Sequence, residues 1–131
     1  MNAVVPGRGF PIFRNLRRGN LTMNNVTAIQ NHKHFEACLS EFSTLQVAYF
    51  YTPWSKSCQL FAQEFVNVTN KFPDSVQFLK IDIERCEETA RAHRICCTPT
   101  FVFYVQNEKV AEFSEPNGEA LTELIERHKS E

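Results

Sequence analysis

The sequence predicts an α/β domain: a central mixed β-sheet flanked by helices on both faces. Two observations carry this. Short apolar runs alternate with longer segments whose apolar residues recur every three or four positions, giving the order βαβαβαββα. The run "QVAYFYT" (Gln46–Thr52) is continuously apolar rather than alternating, the mark of a strand covered on both sides.

Each element has its own signal. Val26–Gln30 reads as a short strand. His32–Phe42 reads as a helix with Phe35, Leu39 and Phe42 on one stripe. Ser55–Phe72 is a long helix, with Cys58, Phe61, Ala62, Phe65, Val68 and Phe72 on the inward face; Pro73 ends it. "VQFLKID" (Val76–Asp82) is a strand, with Asp82 placed to cap the next turn, and Cys86–His93 is a short helix. "TFVFYVQ" (Thr100–Gln106) and "KVAEFS" (Lys109–Ser114) form a pair joined by a tight turn at Asn107–Glu108. Asn117 caps the last helix, which turns Leu121, Leu124 and Ile125 inward.

The chain has 131 residues, 43% of them hydrophobic, enough for one domain with a proper core. We divide it into a flexible basic arm, residues 1–23, and a domain, residues 24–131. The arm has no sustained periodicity and is broken by Pro6, Gly7, Gly9, Pro11 and Gly19. No Asp or Glu precedes Glu36, whereas five Lys or Arg do. From Glu36 onward nine basic residues face fifteen acidic ones, a net −6. An acidic body argues against nucleic acid as the main partner. The longest apolar run, Val47–Tyr51, is too short to span a membrane.

Five cysteines (Cys38, Cys58, Cys86, Cys96, Cys97) and no secretory apolar segment argue against a disulfide-stapled secreted fold. The cytoplasm is the expected compartment. The mitochondrion is the alternative if the Arg-bearing arm is a presequence. Sequons at Asn20, Asn25 and Asn67 are read as chance. No C-x-x-C pair exists, and His93 beside Cys96 and Cys97 lacks zinc-site spacing, so no metal or other cofactor is expected.

Three stretches carry a family resemblance: "VAYFYTPWSKSC", "FLKIDIERCEETARAHRICCTPTFVFY" and "KVAEFSEPNGEALTELIE". Over residues 24–131 the chain resembles the thioredoxin family, most closely animal cytosolic thioredoxins from Phe78 to Phe113. The resemblance implies the thioredoxin fold, with Pro99 in the cis form facing the active-site loop. It implies a groove in which Thr98 pairs its backbone with an extended substrate segment and Trp54 lines the same face.

The family motif is Trp-Cys-x-x-Cys, and this sequence departs from it. Trp54 is followed by Ser55, where the resemblance places the nucleophilic thiol, and Cys58 aligns with the resolving thiol. A serine hydroxyl has no appreciable anionic form at neutral pH and cannot form a disulfide. It is, however, a favoured helix N-cap. The buried carboxylate that handles the resolving thiol's proton in the family is matched by Tyr49. The small loop before the last helix has become Glu115–Pro116.

Two functional readings follow. The first is a peptide- or protein-binding or regulatory module, without dithiol oxidoreductase activity, whose groove is formed by Trp54, Ser55, Thr98 and Pro99. The alternative is a monothiol disulfide reductase in redox homeostasis that uses Cys58, with Cys97 as a second thiol. Cys96 and Cys97 are also candidate redox thiols for an oxidation-dependent dimer, the monomer being the other expected state.

Overall fold

A computed structural model describes residues 25–41 and 44–129. The basic arm, the end of the first helical stripe at Phe42 and the sequon at Asn20 lie outside the described residues. Nine elements follow the expected order. They are β1 (Val26–Ala28), α1 (His32–Glu41), β2 (Leu45–Tyr51), α2 (Lys56–Lys71), β3 (Val76–Asp82), α3 (Glu87–Ala92), β4 (Thr100–Val105), β5 (Glu108–Phe113) and α4 (Gly118–His128).

The five strands form one sheet in the order β1-β3-β2-β4-β5. β1 and β2 each run parallel to β3, whereas β4 is antiparallel to both β2 and β5. Strand alternation divides the core into two layers. Val47 and Tyr49 of β2 point to one face and pack with Phe61, Phe65 and Val68 of α2 and Leu121 and Ile125 of α4. Ala48 and Phe50 point to the other face and pack with Phe35, Cys38 and Leu39 of α1 and with Cys86 at the start of α3. Both faces of β2 are therefore covered, which is why its sequence is apolar without alternation.

The first layer is built from aromatic rings. Tyr49 lies at its centre, with ring centroids of Phe65 at 4.3 Å, Phe101 at 5.1 Å and Tyr51 at 5.4 Å. Such pairs contribute about 0.5–1.5 kcal/mol each beyond the area they bury.

Several expected boundaries shift. β1 stops at Ala28, the last residue with a ladder partner on β3 (Lys80). β2 begins at Leu45 because Leu45 pairs with Val76. The hairpin turn is Gln106–Asn107, one residue earlier than expected, since Val105 and Glu108 are the last paired residues. Gln106 (φ 51°) and Asn107 (φ 69°) are both left-handed, the backbone of a tight two-residue hairpin whose twist matches the strands. Ala62, expected inside, is exposed: it lines the mouth of a cleft between α2 and the sheet. Asn117 accepts a hydrogen bond from the Ala120 amide at 3.1 Å and caps α4. Asp82 Oδ1 accepts from the Glu84 amide at 2.9 Å, turning the chain after β3.

Candidate functional site

The carboxyl end of β2 delivers the chain to a short loop, Thr52–Ser55, and then into α2. Ser55 is extended (φ −70°, ψ 128°) and is the N-cap. Its Oγ accepts from the Cys58 amide at 3.5 Å, and its carbonyl accepts from the Gln59 amide at 2.9 Å. Gln59 Nε2 in turn donates to the Pro53 carbonyl at 3.0 Å. The Ser55 hydroxyl is thus committed to the helix terminus, where orphan amides need an acceptor.

Cys58, in the first turn of α2, is 4% exposed, while Ser55 is half-buried. The Cys58 thiol faces the aromatic layer and lines the same cleft as Tyr49. Burial pushes the Tyr49 phenol further above its usual range, and the nearby Cys58 and Tyr51 add to that. A phenol held so firmly protonated is a poor acceptor for a thiol proton.

The second loop of the site precedes β4. The Thr98–Pro99 peptide bond is cis. Thr98 Oγ1 and Thr52 Oγ1 are 3.2 Å apart and share a hydrogen bond, which joins this loop to the one before α2. Ser55, Trp54, Thr98 and Pro99 therefore belong to two loops held together by the Thr52–Thr98 bond. Trp54 is 67% exposed, and its indole Nε1 donates to Glu84 Oε2 at 2.9 Å. That bond orients the indole, whose apolar face lies open at the surface. Neither Thr52 nor Glu84 was singled out by sequence. A hydroxyl at a strand end and a second acid after Asp82 were the only signals, and each acts across a long sequence separation.

Cys96 and Cys97 are both exposed, and all five described cysteines carry free thiols. The Cys97 carbonyl accepts from Thr100 Oγ1 at 2.7 Å, and Thr100 Oγ1 lies 3.1 Å from Ser114 Oγ. This chain of bonds leads from Cys97 to the exposed Glu115–Pro116 segment at the end of β5. Among the described residues no group of three or more His, Cys, Asp or Glu is arranged to hold a metal. No helix among them is long and apolar enough to cross a membrane.

A family model described as thioredoxin matches residues 26–127. The chain is 38% identical over 104 residues to a thioredoxin of Ophiophagus hannah, spanning 79% of this chain and 98% of that protein. It is 35% identical over 106 residues to a thioredoxin of Geodia cydonium, spanning 79% and 99%. The solved thioredoxin of Fasciola hepatica superposes with a TM-score of 0.75 at 30% identity, covering 79% of this chain and 99% of that one. The reduced Schistosoma mansoni thioredoxin pre-protein superposes with a TM-score of 0.74 at 26% identity, covering 79% and 98%.

Proposed function

The chain belongs to the thioredoxin family, and on that premise we propose that it is a protein- or peptide-binding member that does not carry out dithiol exchange. The carrying observation is Ser55. It occupies the first position of the motif, and its hydroxyl caps α2.

The chemistry follows from what a dithiol reductase needs. A first thiolate attacks the substrate disulfide, and a second thiol resolves the mixed disulfide. Ser55 cannot supply the first step, because sulfur–sulfur bond formation requires sulfur. Cys58 is the resolving position and is almost fully buried. Tyr49, where the resemblance places a proton-accepting carboxylate, holds its own proton too tightly to take another group's. What remains is the recognition surface: the open face of Trp54, the Thr98–Pro99 loop, and the bond between Thr52 and Thr98 that sets one against the other. An extended segment would bind by backbone pairing at Thr98 and by packing on Trp54. Without a nucleophile at position 55, no covalent intermediate forms there and release stays reversible.

The second reading, monothiol exchange, rests on the exposure of Cys97 one residue before Thr98. In that reading Cys58 or Cys97 forms a mixed disulfide that external thiol resolves. The same exposed pair, Cys96 and Cys97, would join two copies on oxidation, whereas the reduced protein would be a monomer. We assign the cytoplasm as the compartment, with the mitochondrion as the alternative.

Reduction of a protein disulfide with dithiothreitol as donor tests both readings. The expected result is the background rate for wild type and for Cys58→Ser, and a clear gain for Ser55→Cys. Wild-type activity that disappears in Cys58→Ser or Cys97→Ser would overturn the binding-module reading.

A further inference from the structure

Helices α2 and α4 lie side by side and run the same way. Near their starts the Gly118 amide donates to Glu64 Oε2 at 3.1 Å, and near their ends Lys129 Nζ sits 5.8 Å from the Phe72 ring centroid. A Cβ on Gly118 would fall 2.6 Å from Glu64 Oε2, so the Glu64 side chain lies flat against the start of α4. Glu64 therefore marks the outer seam between the two helices.

The seam has an apolar end and an acidic middle. Leu60, one turn before Glu64 on the same stripe of α2, is 73% exposed, the most exposed large hydrophobic residue described. On α4, Glu119, Glu123 and Glu126 recur at i, i+4 and i+7. Their stripe lies one residue round the helix from the Gly118–Lys129 edge, which faces α2. Glu126 pairs with Lys129, whereas Glu64, Glu119 and Glu123 pair with no cation among the described residues. Lys56 and Lys71 stand at the two ends of the α2 stripe. A single exposed leucine is ordinary. One that borders three unpaired acids is complementary to a segment both apolar and basic, and this chain carries such a segment.

It is residues 10–18, "FPIFRNLRR", which hold Phe10, Ile12, Phe13 and Leu16 together with Arg14, Arg17 and Arg18, and no acid. The described chain begins beside the seam. Asn25 Nδ2 donates to the Phe72 carbonyl at 2.7 Å and to the Thr69 carbonyl at 3.2 Å, at the end of α2. Phe72 back to Leu60 is roughly 18 Å of helix at the usual rise per residue. The chain from Asn25 back to Leu16 reaches at most about 30 Å. Leu16 and Phe13 can therefore meet Leu60 with chain to spare, on a path that takes Arg17 and Arg18 past the three acids.

We propose that residues 10–18 dock along the α2–α4 seam of their own chain, with Phe13 and Leu16 on Leu60 and with Arg14, Arg17 and Arg18 on Glu64, Glu119 and Glu123. The tether sets an effective concentration on the order of millimolar, so exposed ion pairs and one apolar contact suffice to hold the segment. The seam uses none of Ser55, Trp54, Thr98 or Pro99. It therefore stands or falls separately from the function proposed above.

The test is NMR of the full chain. Nuclear Overhauser contacts are expected between the Leu60 methyls and the side chains of Phe13 or Leu16, unchanged on dilution and weakened by high salt. Trypsin gives a second readout, because cleavage after Arg14, Arg17 and Arg18 follows the population of undocked segment. Leu60→Gln should speed that cleavage about fivefold, the scale of losing one partly buried apolar contact. Glu119→Gln with Glu123→Gln should speed it about threefold, the scale of losing exposed ion pairs. Trp54→Ala should leave it unchanged. The proposal is overturned if no contact to Leu60 is seen, if the contact vanishes on dilution and so joins two copies, if the contacts map to Trp54 instead, or if either set of seam variants leaves cleavage unchanged.

Discussion

The Ser55 hydroxyl caps α2, and its geometry limits what it gives to stability. Ser55 Oγ accepts from the Cys58 amide at 3.5 Å, longer than a well-formed amide bond of about 2.9 Å. Ser55→Ala should therefore cost only about 0.5 kcal/mol, the low end for an N-cap, in urea unfolding. A loss of several kcal/mol would mean that the hydroxyl does something beyond capping. Asn25 is the stronger structural residue. It is buried, and its Nδ2 approaches three carbonyls: Phe72 at 2.7 Å, Thr69 at 3.2 Å and Val76 at 3.4 Å. One amide thus ties the start of β1 to the end of α2 and the start of β3. Asn25→Ala leaves those acceptors with fewer donors and should destabilise by about 1–3 kcal/mol. Asn25 also begins a glycosylation sequon. The burial of this side chain argues against its use, since a glycan could not be attached without breaking the clamp.

At the scale of elements, the β4–β5 hairpin gives the clearest prediction. Gln106 and Asn107 both have positive φ. Asn tolerates that region, whereas Gln is costly there. The favoured pair for such a turn is Asn-Gly. The double substitution Gln106→Asn, Asn107→Gly should raise stability by roughly 0.5–1 kcal/mol, measured as a higher thermal midpoint with unchanged circular dichroism. A neutral or lower midpoint would show that the turn is held by its strands regardless of its own residues. The same hairpin shows what was legible in the sequence. The two strands are plain from their apolar runs, but the turn lies one residue earlier than turn composition suggests. Its position is set by the Val105–Glu108 pairing, which is settled by ladder register rather than by turn composition. β1 and β2 depart from their apolar runs at the ends for the same reason: their limits are set by which residues find a partner on β3. In the candidate site, the places of Ser55 and Cys58 at the start of α2 and of Thr98 and Pro99 before β4 are legible because each pair sits in a short stretch of sequence. Thr52 and Glu84 are not, because their roles exist only once separate loops meet. Ala62 fits the helical stripe, and only the cleft it faces explains its exposure.

For the whole molecule, the two-layer core makes stability depend on pH through His93. The ring closes the edge of the second layer, at 5.2 Å from Phe35 and 5.0 Å from Phe50. Nδ1 is 2.8 Å from the Thr89 carbonyl, and Nε2 bonds with the Tyr104 hydroxyl. Burial lowers its pKa below the ordinary 6.5; the Thr89 carbonyl opposes this, Lys109 and His32 lower it further, and Glu112 opposes. The unfolded chain therefore binds a proton at this residue more readily than the folded one does. Stability must rise with pH between the folded pKa and 6.5, and be lost as pH falls through that window. Above 6.5 the ring is neutral in both states and the dependence from this residue vanishes. The structural meaning is that a second proton on the ring would turn Nε2 from an acceptor for Tyr104 into a donor and put charge among Phe35 and Phe50. His93 is the C-cap of α3, and Ile95, two residues on, packs against the same layer. Loosening this corner would reach the segment that carries Cys96, Cys97 and Thr98. Urea unfolding of wild type and His93→Gln at a series of pH values around and below 6.5 measures the effect. Wild type should lose more stability than the variant as pH falls through the window. The two should run parallel above it, offset by whatever the substitution costs in packing. Parallel curves throughout would mean that protonated His93 is accommodated without strain, and that the acid sensitivity of the fold lies in its carboxylates.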